Sequence, residues 1–166
     1  MREAIQRLEQ EGLLETRKNR GAVVKSLSRH DVEEIYHLRM LLESDAIHRS
    51  VNHLDDDVIT QAERADLLLG EATSAERQGA LNREFHQILY LPCRNSRQPE
   101  MICALRGQIE RYERLQHRLL SDTTAFQEEH VAILDACRQR KADAARSMTV
   151  SHLESAKDIG MKLVRN

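Results

Sequence analysis

From Ser28 to its last residue, the chain carries apolar side chains at helical spacing and almost nothing that stops a helix. Its 166 residues include two prolines, Pro92 and Pro99, and six glycines. So few breaks, with an apolar period near 3.6, point to helices packed on one another. There is no tryptophan and there are only two phenylalanines, beside many Leu, Ala, Glu and Arg residues, the strong helix formers. No low-complexity tract or internal repeat interrupts the pattern.

Start and stop signals divide this stretch into six helices. Ser28 and Asp31 have the spacing of a capping box and open the first, with Val32, Ile35, Leu38, Leu42 and Ala46 as its predicted buried stripe. The second spans about 55–71, and the third starts after Ser74 and stops before Pro92. The fourth runs from about Pro99 to Leu120. Thr124 with Gln127 offers another capping box for the fifth, which ends near Arg140, and the sixth covers about 142–163. Joined by short loops, these helices form an all-α antiparallel bundle over residues 26–166.

Residues 1–25 read differently. Residues 2–11 suit a helix with Ala4, Ile5 and Leu8 on one face and Gly12 as its C-terminal cap. The following "LLETRKNRGAVVK" has two short apolar ends around a basic tip, with Asn19 and Gly21 suited to a turn. That is a β-hairpin, the one strand signal in the sequence. A helix followed at once by a basic-tipped hairpin is the second half of a winged helix-turn-helix. The helix would enter the major groove, and Arg17, Lys18, Asn19 and Arg20 would lie along phosphates or the minor groove. The bland reading of the same residues is a solvated charge cluster at a turn.

With 25 basic and 27 acidic side chains the net charge is -2, so nucleic-acid binding must rest on that local cluster. No run approaches the roughly 18 apolar residues of a membrane span. The N-terminus is charged from its second residue and lacks a secretory signal, so a cytoplasmic location is expected. Cys93, Cys103 and Cys137 lack zinc-like CxxC spacing and read as reduced thiols.

Of eight histidines, three fall on predicted buried stripes of three different helices. His86 lies in "LNREFHQILY" beside Phe85, Ile88 and Leu89, with Asn82 one turn before it. His130 shares a stripe with Phe126, Ile133 and Leu134, and His152 follows Met148 by one turn. Three imidazoles and one amide oxygen can converge on a divalent ion, with zinc first and nickel, copper, iron or manganese as alternatives. The competing reading is polar residues satisfied by hydrogen bonds in a bundle core. A metal-dependent enzyme is a further alternative, with Glu84, Glu128 or Glu129 as general base. Against it, a di-iron bundle needs two Glu-x-x-His motifs, and the chain has only Glu34 to His37.

Two stretches carry a resemblance. "MREAIQRLEQEGLLETRKNRGAVV" resembles the end of the DNA-binding domain of GntR-family bacterial regulators, through Arg2, Glu3, Ala4, Ile5, Leu8, Gly12, Leu13, Gly21 and Val24. The resemblance implies DNA contact by Arg2 on the recognition helix and by Arg20 and Gly21 in the wing. That module ordinarily begins with two further helices, whereas this sequence starts at the recognition helix. The expectation is a truncated module that binds operator DNA poorly by itself, leaving an effector or dimerisation unit.

"LNREFHQIL", "EEHVAILDA" and "SHLESA" resemble the signature segments of the FCD effector domain of FadR-type GntR regulators. "RMLLESDAI" fits that domain's first helix, and Asn95 its loop asparagine. The resemblance implies a divalent-metal site at Asn82, His86, His130 and His152, with Asn82 where the family usually has aspartate. It further implies a homodimer on two-fold operator DNA and a small carboxylate effector. That acid would complete the ion's coordination and supply the missing negative charge, clamped by Arg39, Arg106 and Arg111.

Overall fold

The Ser28 hydroxyl accepts from the Asp31 N–H at 3.1 Å, and the Asp31 carboxylate accepts from the Ser28 N–H at 2.8 Å. Both halves of the capping box are therefore formed, and two otherwise orphaned N–H groups are satisfied. These contacts come from a computed structural model that describes residues 2–10, 14–17, 21–24, 27–115 and 124–164. Within those ranges, the side chains of residues 2, 10, 17, 24, 111–115, 124 and 163 lie outside the description.

The elements run α1 (Arg2–Gln10), β1 (Leu14–Arg17), β2 (Gly21–Val24), α2 (Arg29–Ser50), α3 (Asp56–Glu71), α4 (Ala75–Tyr90), α5 (Arg97–Leu115), α6 (Thr124–Arg138) and α7 (Ala142–Leu163). Short 3-10 turns at Val51–His53 and Leu91–Cys93 follow α2 and α4. Asp55 and Ser74 cap α3 and α4 by accepting from the N–H groups of Val58 and Arg77. The strands pair antiparallel, Leu14 opposite Val24 and Arg17 opposite Gly21. Gly21 has φ +68°, a backbone conformation that glycine enters without a Cβ penalty. Helix α1 touches β1, and in the bundle α2 lies along α7, α3 along α4, and α6 along α7.

The all-α bundle behind a helix and hairpin is as expected, with two differences and three points that fall outside the description. Helix α5 begins at Arg97 and is described as far as Leu115, and the stretch toward Leu120 is outside the described residues. The cap assigned to the Thr124 side chain is likewise outside them, as is the boundary at residues 25–26. The second difference is instructive. The predicted stripe on α2 ran through Leu38 and Leu42, yet Leu38 is 46% exposed and Leu42 only partly buried. The buried face instead follows Val32, Ile35, Tyr36, Arg39, Glu43, Ala46, Ile47 and Ser50. That series has ideal helical spacing, but two of its members are charged, so an apolarity pattern steps over them.

The reason is a polar layer that divides the core in two. One apolar cluster gathers Ile47, Phe85, Leu89, Ile102, Ile133 and Ala145, and the other Val32, Tyr36, Ile109, Leu153 and Ala156. On each of three helices a buried polar residue separates the two. Arg39 and Glu43 do so on α2, Arg106 lies between Ile102 and Ile109 on α5, and Thr149 and His152 lie between Ala145 and Leu153 on α7. On α6, His130 similarly separates Ile133 from Phe126, which packs against the second cluster.

Candidate metal centre

Helix α4 delivers His86 to this layer, α6 His130 and α7 His152, and the three are 1%, 1% and 3% exposed. Their ring centroids are 5.1, 5.1 and 4.8 Å apart, and one nitrogen from each lies within 4.8 Å of the others. Phe85 stacks on His130 at 4.2 Å and Phe126 meets His152 edge-on at 5.2 Å, so apolar rings wall the cluster.

Each histidine is held through its Nδ1. His130 Nδ1 is 2.7 Å from Asp66 Oδ1, and His152 Nδ1 is 2.8 Å from Glu129 Oε2. The Ser155 hydroxyl donates to the other Glu129 oxygen at 2.7 Å. His86 Nδ1 lies 3.2 Å from the Tyr90 hydroxyl. A carboxylate can only accept, so Nδ1 of His130 and of His152 carries a proton, and in the neutral ring the lone pair is then on Nε2. The Nε2 atoms of His86 and His130 are buried and have no hydrogen-bond partner among the described residues. Leaving such an atom unpaired costs about 1–3 kcal/mol. Clustered imidazole lone pairs with nothing to accept from are what a cation satisfies.

Electrostatics keep His86 and His152 in the ligating form. Burial, with the Arg106 and Arg39 guanidiniums and the other two rings, holds His86 well below the ordinary imidazole range. Burial outweighs the pull of Glu129 at His152 and brings it to about 4. Glu129 stays below the usual carboxyl value despite burial, because His152 and Ser155 hydrogen-bond to it. Neutral nitrogen donors with carboxylates behind them suit zinc and other borderline dications, which bind at about 2.0–2.1 Å.

The remaining site residues of the sequence separate into three groups. Asn82, one turn before His86 on α4, is half-buried and its amide makes no hydrogen bond among the described residues. Arg106 is 5% exposed and donates to Glu43 Oε2 at 3.2 Å, its sole hydrogen-bond partner among the described residues. Arg39 donates from Nε to Glu43 Oε1 at 2.7 Å and covers the Tyr36 ring at 4.7 Å, so it braces the layer. Asn95 is exposed, and its Oδ1 accepts from the Arg97 N–H at the start of α5, which is a capping role. The side chains of Arg111, Arg2 and Arg17, and all of Lys18 and Arg20, lie outside the described residues, while Gly21 opens β2. Glu34 and His37 are both exposed on α2, as are Glu84 and Glu128 on α4 and α6. The one Glu-x-x-His pair thus faces solvent.

Sequence reasoning overlooked Glu43, Tyr90 and Asp66. Glu43 is 0% exposed and also accepts from the Tyr90 hydroxyl at 3.0 Å. The signal was available in two one-turn spacings, Arg39 to Glu43 and His86 to Tyr90, each pairing polar groups along a buried face.

Comparison with known proteins gives concordant matches. The FCD domain family matches residues 34–155. The chain is 28% identical to the HTH-type transcriptional regulator BphR of Paraburkholderia xenovorans over 94% of this chain and 67% of that protein. It is 28% identical to the Nta operon transcriptional regulator of Aminobacter aminovorans, over 99% of this chain and 78% of the relative. Among solved structures, a GntR family regulator from Pseudomonas syringae pv. tomato superposes with TM-score 0.74 at 30% identity, covering 97% of this chain and 68% of that one. E. coli McbR/YncC has TM-score 0.83 at 18% identity, over 98% and 83% of the two chains, a likeness of fold.

Proposed function

The chain belongs to the FCD-domain branch of the GntR family of transcriptional regulators, and on that premise we propose that it senses a small carboxylate at a metal ion. His86, His130 and His152 hold a divalent cation through Nε2, zinc first, with nickel, manganese or iron as alternatives. Asn82 supplies a neutral oxygen or leaves that position to the ligand. The single observation that carries this reading is the convergence of three Nδ1-anchored imidazoles, two with buried and unpartnered Nε2 atoms.

Three imidazoles and an amide add no negative charge, so the bound ion keeps its full charge of +2. Arg106 adds a buried cation beside His86 and has N–H groups beyond the one that reaches Glu43. A carboxylate ligand satisfies both. Arg106 is the clamp this reading favours, Arg39 and Asn95 having structural partners already. Arg111 is a second candidate on the same helix.

Residues 1–25 are the DNA-reading part and 26–166 the effector part, acting as a homodimer on a two-fold operator. Arg2 reads from α1, and Arg17, Lys18, Arg20 and Gly21 approach the backbone from the hairpin. Carboxylate binding alters operator affinity to the extent that it favours one arrangement of the two parts over another.

Elemental analysis of purified protein, then calorimetry of zinc chloride into metal-free protein, tests the ion. Citrate and lactate titrated into zinc-loaded and metal-free protein test the effector class. Absence of a stoichiometric metal and of metal-dependent heat from any small acid refutes the reading. In a chain carrying a complete winged module, an operator gel shift that responds to the acid, and weakens with Arg20→Ala, tests the coupling.

A further inference from the structure

Two of the three histidines are anchored directly by a carboxylate, whereas His86 faces a tyrosine. Behind that tyrosine stands a carboxylate after all. The Tyr90 hydroxyl is 3.2 Å from His86 Nδ1 and 3.0 Å from Glu43 Oε2, and both residues are fully buried. Glu43 also accepts from Arg39 Nε on Oε1 and from Arg106 Nη1 on Oε2. Two guanidiniums hold it as a carboxylate, which accepts hydrogen bonds and donates none.

A phenol has one proton. Glu43, lacking one, accepts the hydrogen bond that Tyr90 donates, so the phenol oxygen is left to accept from His86. The His86 proton must then sit on Nδ1, and the Nε2 lone pair faces the cluster. We infer that Glu43, acting through the Tyr90 hydroxyl, is a positioning residue that fixes the tautomer of His86 and so completes a ring of three imidazoles presenting Nε2 inward. The relay joins α2 to α4, so the first helix of the bundle helps set the donor atoms of a site to which it contributes no ligand. It rests on the metal-site reading above for its purpose, but its structural content concerns the metal-free protein.

The alternative is that Tyr90 merely fills space between α2 and α4. Nitrogen-15 spectra of the histidine rings in metal-free protein separate the two. The wild type is expected to show His86 protonated at Nδ1, like His130 and His152. Tyr90→Phe keeps the ring and removes the hydroxyl, so His86 should become a mixture of tautomers. His130 and His152, anchored by Asp66 and Glu129, should be unchanged. Zinc affinity by calorimetry should fall roughly 10- to 100-fold, the usual effect of losing such a partner. Glu43→Gln should move His86 in the same direction, and Tyr90→Phe decides the matter if that variant unfolds. A wild-type His86 protonated at Nε2 overturns the relay, as does Tyr90→Phe with unchanged spectra and zinc affinity. A wild type with the expected tautomers that binds no zinc, nickel, manganese or iron leaves the relay standing and refutes the metal reading.

Discussion

Removing the carboxylate at the centre of the polar layer should destabilise the protein more than any loss of a surface charge. Glu43 is 0% exposed, and its two cationic partners, Arg39 and Arg106, are 4% and 5% exposed. Contacts of 2.7 and 3.2 Å tie them together. At about 4 Å between charge centres and an effective dielectric near 20, each pair attracts by about 4 kcal/mol before desolvation is subtracted. Deleting one partner of a buried pair costs about 3–5 kcal/mol, because the other charge is left uncompensated. Here the Arg106 guanidinium is left, Arg39 loses its contact to Glu43, and the Tyr90 hydroxyl loses its acceptor, while water entering the space behind alanine offsets some of this. Glu43→Ala should therefore lower the unfolding free energy by about 4–6 kcal/mol. At about 2–4 °C per kcal/mol for a chain of this size, the melting temperature falls by roughly 10–20 °C.

The pH dependence follows from the same contacts. Burial alone would raise the Glu43 carboxyl, but Arg39 and Arg106 hold it below its ordinary 4.5. A carboxyl lowered on folding contributes stability above its unfolded value and loses it as pH falls through the folded one. The gap between wild type and Glu43→Ala should thus be full at pH 7 and narrow below about pH 4.5. Urea denaturation of metal-free protein, followed by circular dichroism at pH 7 and at pH 3.5, measures both gaps. A loss under about 1 kcal/mol at pH 7 would refute the reasoning. It would mean that both arginines reach water.

Zinc at a hundredfold over its dissociation constant should stabilise the wild type by about 2.7 kcal/mol, a rise of several degrees in a thermal melt. His130→Ala should abolish that rise, and an equal rise in the variant would remove His130 from the site. Asn82→Asp adds an anion beside the ion and should tighten zinc binding at least about tenfold, or 1.4 kcal/mol, by calorimetry. The same variant should bind citrate more weakly when zinc-loaded, and unchanged affinities for both would place Asn82 outside the site. Of the three thiols, Cys103 alone is exposed, and burial pushes Cys137 up to about 12. Maleimide at pH 7.5 should therefore modify one cysteine per native chain by mass spectrometry, Cys103, and all three after unfolding.

Helix content was legible in the sequence because it depends on local chemistry. Ser28 with Asp31, Asp55 and Ser74 each satisfy N–H groups within three residues, so the starts of α2, α3 and α4 are written beside them. The three histidines were legible for a related reason: each sits at helical spacing from apolar neighbours that must be buried. What local spacing could not convey is which polar residues the bundle would bury together. Leu38 was a better core candidate than Arg39 by hydrophobicity, and yet Leu38 is 46% exposed and Arg39 is 4%. A buried arginine is tolerable only when it is paired, and the layer that buries this pair is assembled from distant parts of the chain. Glu43 neutralises Arg39 from one turn away, but Arg106 is 63 residues further on and Tyr90 is 47. Sequence alone determined the elements and the residues able to bind an ion. The tertiary structure alone decided which nitrogen of each histidine is tied down, because the carboxylates behind His86, His130 and His152 lie on α2, α3 and α6, brought there by packing.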